Sequence, residues 1–200
     1  MPSAELHDPL DVLAISGSLR RQSSNTGLIR LAQRLSSADL SGAPGASPPQ
    51  RALRLSSDFD IGSLPFYDAD LEDAPPEAVV AWRRRVTECD GLFIATPEYN
   101  FGTTAVLKNA IDWVTRPPGQ HALRGKVISI MSSSASTGGK NVIEYYTNVL
   151  PLLGNTMVSE PDGGFVKGSE RIGADGSTTD PEVESRVLMR LQRLGEALQT

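Results

Sequence analysis

Val12 to Asn25 reads VLAISGSLRRQSSN, and the fold turns on this stretch. Val12, Leu13, Ala14 and Ile15 form a short apolar run that stops at Ser16-Gly17-Ser18, the pattern of a buried strand entering a tight turn. Beyond two arginines and two serines, Leu28, Leu31, Ala32 and Leu35 recur at i, i+3, i+4 and i+7, so a helix with one apolar face follows. Strand, small-residue loop and helix start together make a place for an anion. The first N–H groups of a helix lack intrahelical partners, and its dipole favours negative charge there. Ser18, Ser23 and Asn25 add hydrogen-bond donors and Arg20 a charged fork. The alternative for the same residues is an ordinary strand-to-helix turn capped by Asn25. No Gly-Lys-Ser follows, so this is not a Walker loop, and its glycines are too few for G-x-G-x-x-G.

Outward from here the same alternation repeats. Residues 51–56 form a second strand. Residues 60–72 are irregular, with Pro65 beside Phe66 and Tyr67, and suit a pocket rim, a subunit contact or plain loop packing. Pro75-Pro76 opens a helix to about Glu88 with Val79, Trp82 and Val86 on one side. Residues 91–95 (GLFIA) are a continuous apolar run, as in a buried parallel strand, and end in Thr96-Pro97-Glu98-Tyr99-Asn100. Thr104 caps a helix over 105–114 with a stripe of Leu107, Ala110, Ile111 and Val114. Residues 127–131 are the fourth strand and 132–139 (SSSASTGG) a third small-residue loop. A helix over 140–153 carries Val142, Tyr146, Val149, Leu150 and Leu153, and residues 156–159 are the fifth strand. Residues 36–50 and the Gly-rich residues 161–179 read as flexible, exposed loops. Asp180-Pro181-Glu182 gives cap, proline and acid in the order that starts a helix, which runs to about Leu198.

Five strands alternating with helices over 200 residues, with no internal repeat, indicate one α/β domain. Its parallel sheet is doubly wound, in the flavodoxin-like order 2-1-3-4-5, with helices on both faces. Ligands of such sheets bind beyond the carboxyl ends of the strands at the switch point. The three small-residue loops follow strands one, three and four, which are neighbours there. A net charge of −5 argues against broad nucleic-acid binding. One cysteine, Cys89, excludes a disulfide or a cysteine metal site within the chain and reads as a buried thiol. The polar, acidic first ten residues do not resemble a secretory signal, and no run approaches the roughly 18–20 apolar residues of a membrane span, so a cytoplasmic protein without a membrane partner is expected. His7 and His121 lie in polar segments and read as solvent-facing and non-catalytic.

Two stretches carry a resemblance. Gly17-Ser18-Leu19-Arg20 with Ser23 and Asn25 matches a G-S-L-R-x-x-S-x-N phosphate loop, and residues 96–113, TPEYNFGTTAVLKNAIDW, match a T-P-E-Y-N…L-K-N-A-I-D-W signature. Both belong to the NADPH-dependent FMN reductases, in their flavodoxin-like branch of small quinone, chromate and azo-dye reductases. Residues 64–72 (LPFYDADLE) are also similar to that family, and the resemblance covers about residues 12–159. It departs at Thr104-Ala105, where the family usually has Pro-Gly. It departs again at Ala135 or Ser136, where a glycine is common, and at Asn141, where some relatives carry an arginine used between subunits.

The resemblance implies bound FMN rather than FAD. Gly17, Ser18, Leu19, Arg20, Ser23 and Asn25 would hold its phosphate. Pro97, Glu98, Tyr99, Asn100, Ser132 and Ser133 would surround its ring, with Glu98 a cap or backbone anchor. It implies NADPH or NADH as co-substrate and a small electron acceptor: a quinone, free flavin, azo compound or metal oxyanion. It also implies a homodimer, with a tetramer left open, paired through residues 64–72 and 105–113 with Phe66 and Trp113 at the interface. A flavin supplies the redox chemistry itself, so no His/Cys/Asp constellation is required. Arg20, Arg21, Arg116 and Arg124, on or near the site loops, suit an anionic dinucleotide. A flavodoxin-type carrier would be acidic around its flavin, and a non-enzymatic flavin-binding module is the remaining alternative. Three loops of small residues leave one ring face open, and a face shared by two substrates implies ping-pong kinetics.

Overall fold

The computed structural model describes residues 8–37, 51–160 and 162–200. Strands β1 (Leu10–Ser16), β2 (Leu53–Ser56), β3 (Gly91–Ala95), β4 (Val127–Ser134) and β5 (Thr156–Val158) form a parallel sheet in the order β2-β1-β3-β4-β5. This is the flavodoxin-like order expected. Helices α2 (Glu77–Glu88), α3 (Ala105–Thr115) and α4 (Lys140–Leu152) contribute to one core, and α1 (Ser24–Ser36) and α6 (Pro181–Ala197) to the other. Alternation along β1 sends Leu13 and Ile15 into the first core and Val12 and Ala14 into the second. A strand covered on both faces therefore reads as a continuous apolar run, and all five residues of β3 are buried for the same reason.

The caps set where helices begin. Ser23, not Asn25, caps α1 by accepting from Thr26 N. Thr104 caps α3 by accepting from Leu107 N at 3.3 Å, and Asp180 caps α6 by accepting from Glu182 N at 3.0 Å. Cys89 is 1% exposed, as expected, and burial pushes its thiol up. Residues 1–7, which include His7, and most of the expected loop over 36–50 lie outside the described residues.

Two expectations fail here. Residues 162–179 are not an exposed loop. They contain β6 (Gly164–Val166), which pairs parallel with Ser132–Ser134 of β4, and a helical turn α5 (Gly168–Arg171). Phe165 and Ile172 from this segment are buried. The guanidinium carbons of Arg171 and Arg186 lie 5.5 and 4.4 Å from the Phe165 ring centroid, a cation–π arrangement that holds the strand down. Buried Arg190 of α6 donates to the carbonyls of Val158 and Ser159 just upstream. Trp113 is not on the surface either. It is fully buried, its Nε1 donates to Pro65 O at 2.8 Å, and Tyr67 packs edge-on against it. Phe66, by contrast, is 81% exposed.

Candidate functional site

The site grows from the three strand exits. Gly17 N donates to Ala95 O at 2.8 Å, which draws the β1 exit against the β3 exit. A Cβ at Gly17 would lie 2.2 Å from Thr96 Oγ1, so only glycine allows this approach. The β3 exit then turns back on itself. Tyr99 and Gly102 exchange backbone hydrogen bonds at 3.1 and 3.0 Å, with Asn100 and Phe101 between them at φ 51° and 61°. Two left-handed central residues define a tight hairpin turn, and a Phe there is strained in the way functional loops often are. Tyr99 and Phe101 project from it, 49% and 76% exposed.

The other walls are tied on by side chains. Asn25 Nδ2 donates to Ser133 O at 2.8 Å, and Ser133 N donates to Asn25 Oδ1 at 2.9 Å. Ser24 Oγ and Ser133 Oγ lie 2.5 Å apart. Glu98 reaches to the start of α4. Its carboxylate accepts from Asn141 N (2.7 Å), Val142 N (3.2 Å), Asn141 Nδ2 (3.0 Å) and Thr137 Oγ1 (2.7 Å). Burial alone would raise this carboxyl, but these hydrogen bonds outweigh it and hold it below the ordinary carboxylate value. Further along α4, the Tyr146 hydroxyl lies 2.6 Å from Thr103 Oγ1, a second tie on the same loop.

Together these segments enclose a cleft of about 300 Å³ at the carboxyl ends of β1, β3 and β4. Ser18, Arg20, Ser23, Asn25, Pro97, Glu98, Tyr99 and Ser133 line it as the sequence suggested, joined by Ser24, Ser134, Ala135 and Ser169. The first-turn N–H groups of α1, the hydroxyls of Ser18, Ser23 and Ser24, and the Arg20 guanidinium form a donor set fit for a phosphate. Glu98, the carboxylate in the lining, is committed to α4, so it leaves that donor set unopposed.

Several expected residues sit elsewhere. Ser132 and Ser133 cannot both face the cleft, because strand β4 continues through them and successive side chains alternate. Ser132 Oγ is buried beneath Gly139 without a hydrogen-bond partner. Asn25 does line the cleft, but its amide is hydrogen-bonded to Ser133. Gly17 works by contact with Thr96. Leu19, 65% exposed, lines a neighbouring cleft with Asp58, Phe59 and Ile61, and Asn100 is at the tip of the hairpin turn. Arg124 precedes β4 at the amino ends of the strands, where Gly125 N donates to Gly154 O, and Arg116 follows the far end of α3. Neither is beside the cleft. His121 is half-buried between α3 and α4. Ser169 carried no sequence signal, since it lies in the segment that composition marked as loop.

A doubly wound sheet with a donor-rich helix start and a hydroxyl-lined cleft at its switch point has the architecture of a flavodoxin-like protein. The chain belongs to the NADPH-dependent FMN reductase family, whose model matches residues 10–169. It is an oxidoreductase that uses FMN and NAD(P)H. It is 35% identical over 198 residues to a probable NADPH:quinone oxidoreductase 2 of Oryza sativa subsp. japonica, covering 95% of this chain and 91% of that one. It is 34% identical to an NAD(P)H-dependent FMN reductase of Pseudomonas aeruginosa, covering 94% and 95% of the two chains. Among solved structures, the FerB flavoenzyme NAD(P)H:(acceptor) oxidoreductase of Paracoccus denitrificans superposes with a TM-score of 0.79. It is 29% identical, over 95% of this chain and 97% of that one.

Proposed function

We propose that the chain is a cytoplasmic quinone-class reductase that passes electrons from NAD(P)H to a small flat acceptor by a ping-pong sequence. One observation carries this reading. The cleft is walled by short side chains, Ser18, Ser23, Ser24, Ser133, Ser134, Ala135 and Ser169, with Tyr99 at its edge. These Ser and Ala side chains are too short to cover a flat ring seated against Pro97 and Tyr99, and Glu98 is turned to α4, which supports one open face. FMN, when bound, supplies the hydride chemistry. The chain orients it. Ser18, Ser23, Arg20 and the α1 N–H groups hold its phosphate, and the Tyr99–Gly102 turn, fixed by Glu98 and Thr103, sets the depth of the ring. A single open face admits one flat molecule at a time, so donor and acceptor alternate. The oxidoreductases named for quinones among its relatives support the acceptor class.

We further propose a homodimer. Phe66, Phe101 and Leu19 are 81%, 76% and 65% exposed, a large apolar outlay for a lone chain, and a second copy would cover them. Trp113 takes no part, being buried already. The functional reading is tested by steady-state kinetics at several benzoquinone concentrations. Parallel double-reciprocal lines are expected, and intersecting lines would overturn the shared-face scheme. Anaerobic NADPH titration should bleach the visible flavin band.

A further inference from the structure

The third loop and β6 have two sides. One side lines the flavin cleft through Ser134, Ala135 and, beyond β6, Ser169. The other borders a second cavity, of about 510 Å³, against the flank of α4. Ala135 and Gly138 are three residues apart, so at most about 10 Å of chain separates the two spaces. We propose that this second cavity receives the adenosine diphosphate half of the nicotinamide dinucleotide while its nicotinamide enters the flavin cleft. The proposal rests on the oxidoreductase reading above and adds the place where the donor is recognised.

The lining has the right chemistry. Val166, 46% exposed, and Ile143 give apolar surfaces for a purine face. Asn148 and Glu144, one helical turn apart on α4, offer amide donors and carboxylate acceptors to ribose and base edges. Lys140 stands in the lining at the first position of α4, exposed, and among the described residues its ammonium has no carboxylate partner. Lys167 follows β6 at φ 52°, and its N–H donates to Ala135 O at 3.3 Å. That bond fixes its backbone at the ridge between the two spaces, and its side chain is exposed, with no ion pair among the described residues. Lys140 in the lining and Lys167 on the connecting segment thus bring two cations that have no ion pair among the described residues to the chain a pyrophosphate would cross. Asp162, also in the lining, is paired with Arg186 at 3.2 Å. The other cleft near the first loop does not offer this. The cation in its lining is Arg30, whose Nη1 donates to Ala174 O at 2.5 Å, and Asp60 and the Arg85-paired Asp58 line it.

The test is calorimetric titration of the FMN-loaded protein with adenosine 5′-diphosphate, which has no nicotinamide and leaves the flavin oxidised. Binding that competes with NADPH and not with FMN is expected. Lys140→Gln and Val166→Asp, both at exposed positions, should each weaken it by about fivefold or more, while FMN affinity by fluorescence titration stays within about twofold. Unchanged nucleotide binding in both variants would overturn the assignment. So would a lack of nucleotide binding while NADPH still bleaches the flavin, and that result would leave the reductase reading standing. Failure of NADPH to bleach the flavin would remove the reductase reading, and the proposal with it.

Discussion

Asn25 and Ser133, 108 positions apart in the chain, are joined by two hydrogen bonds, the amide of one closing on both backbone groups of the other. The pair is buried, with Asn25 2% and Ser133 3% exposed, and it locks the start of α1 to the end of β4. In the sequence, Asn25 looked like a phosphate donor whose loss would weaken FMN binding more than folding. Its geometry predicts the reverse order. Asn25→Ala leaves a buried N–H and C=O unpaired, which costs about 2–4 kcal/mol of stability. Urea unfolding of the apoprotein measures this directly. A loss below about 1 kcal/mol would show that water replaces the amide.

Arg20 has the opposite profile. It is exposed, and within the chain its guanidinium reaches the Gln22 carbonyl at 3.1 Å. Arg20→Ala should therefore leave the urea midpoint unchanged. A solvent-exposed contact between it and the FMN phosphate would be worth about 1.4 kcal/mol, so FMN affinity should fall about tenfold. Fluorescence titration of the apoprotein reads this, and equal affinity would take Arg20 out of the site.

Glu98 predicts a pH dependence. Its carboxyl is held below the ordinary value of 4.5, because hydrogen bonds from Thr137, Asn141 and Val142 outweigh the opposing effect of burial. A depressed folded value means that the carboxylate stabilises the fold fully above the unfolded value and ceases to as pH falls through the folded one. The wild-type urea midpoint should therefore drop on acidification below about pH 4.5. Glu98→Gln keeps the size, loses the charge at the α4 N-terminus, and should be less stable near neutrality with a flatter acid limb. Parallel acid limbs for the two proteins would assign that limb to other carboxylates.

How much of this was legible in the sequence follows from what each residue type can report. Periodicity located the helices, because a buried stripe such as Val79, Trp82 and Val86 leaves a spacing. Small residues at strand ends pointed to the cleft, because topology gathers strand ends. Composition failed at residues 162–171. Glycines mark both mobile loops and segments packed too closely for a Cβ, and Gly168 is of the second kind. Nearness in sequence misplaced Arg116 and Arg124, since the helix or strand between a loop and its neighbour carries the chain to the other end of the sheet. Trp113 was misjudged because a large apolar residue in a signature fits an interface as well as a core. Pro65 O, which receives its indole N–H, could not be foreseen.

Phe66 tests the proposed dimer. Phe66→Glu puts a charge on a side chain that is 81% exposed in the isolated chain, so folding should be unaffected. In a dimer core the same charge would be buried without a partner. Light scattering at micromolar concentration should show the wild type as a dimer and the variant as a monomer. A wild-type monomer, or a variant dimer of equal strength, would count against pairing through this segment.

Gly168 tests whether the β6–α5 segment is a wall of the site. A Cβ there would sit 1.7 Å from Ser133 Oγ and 2.7 Å from Ser133 Cβ, and Ser133 is fixed from its other side by Asn25 and Ser24. Neither partner can give way, so Gly168→Ala should displace α5 and carry Ser169 off the cleft. Overpacking of this kind costs about 1–3 kcal/mol. FMN affinity should fall as well, because the cleft loses a wall while the phosphate donors of α1 stay in place. A second substitution separates this from a general loss of stability. Ser133→Gly removes the atoms that the new methyl would strike, so the two changes together should be less damaging than the sum of the two alone, by about 1 kcal/mol or more. Chemical denaturation of the four proteins closes the cycle. If the effects simply add, Gly168 and Ser133 do not meet, and the segment lies off the site.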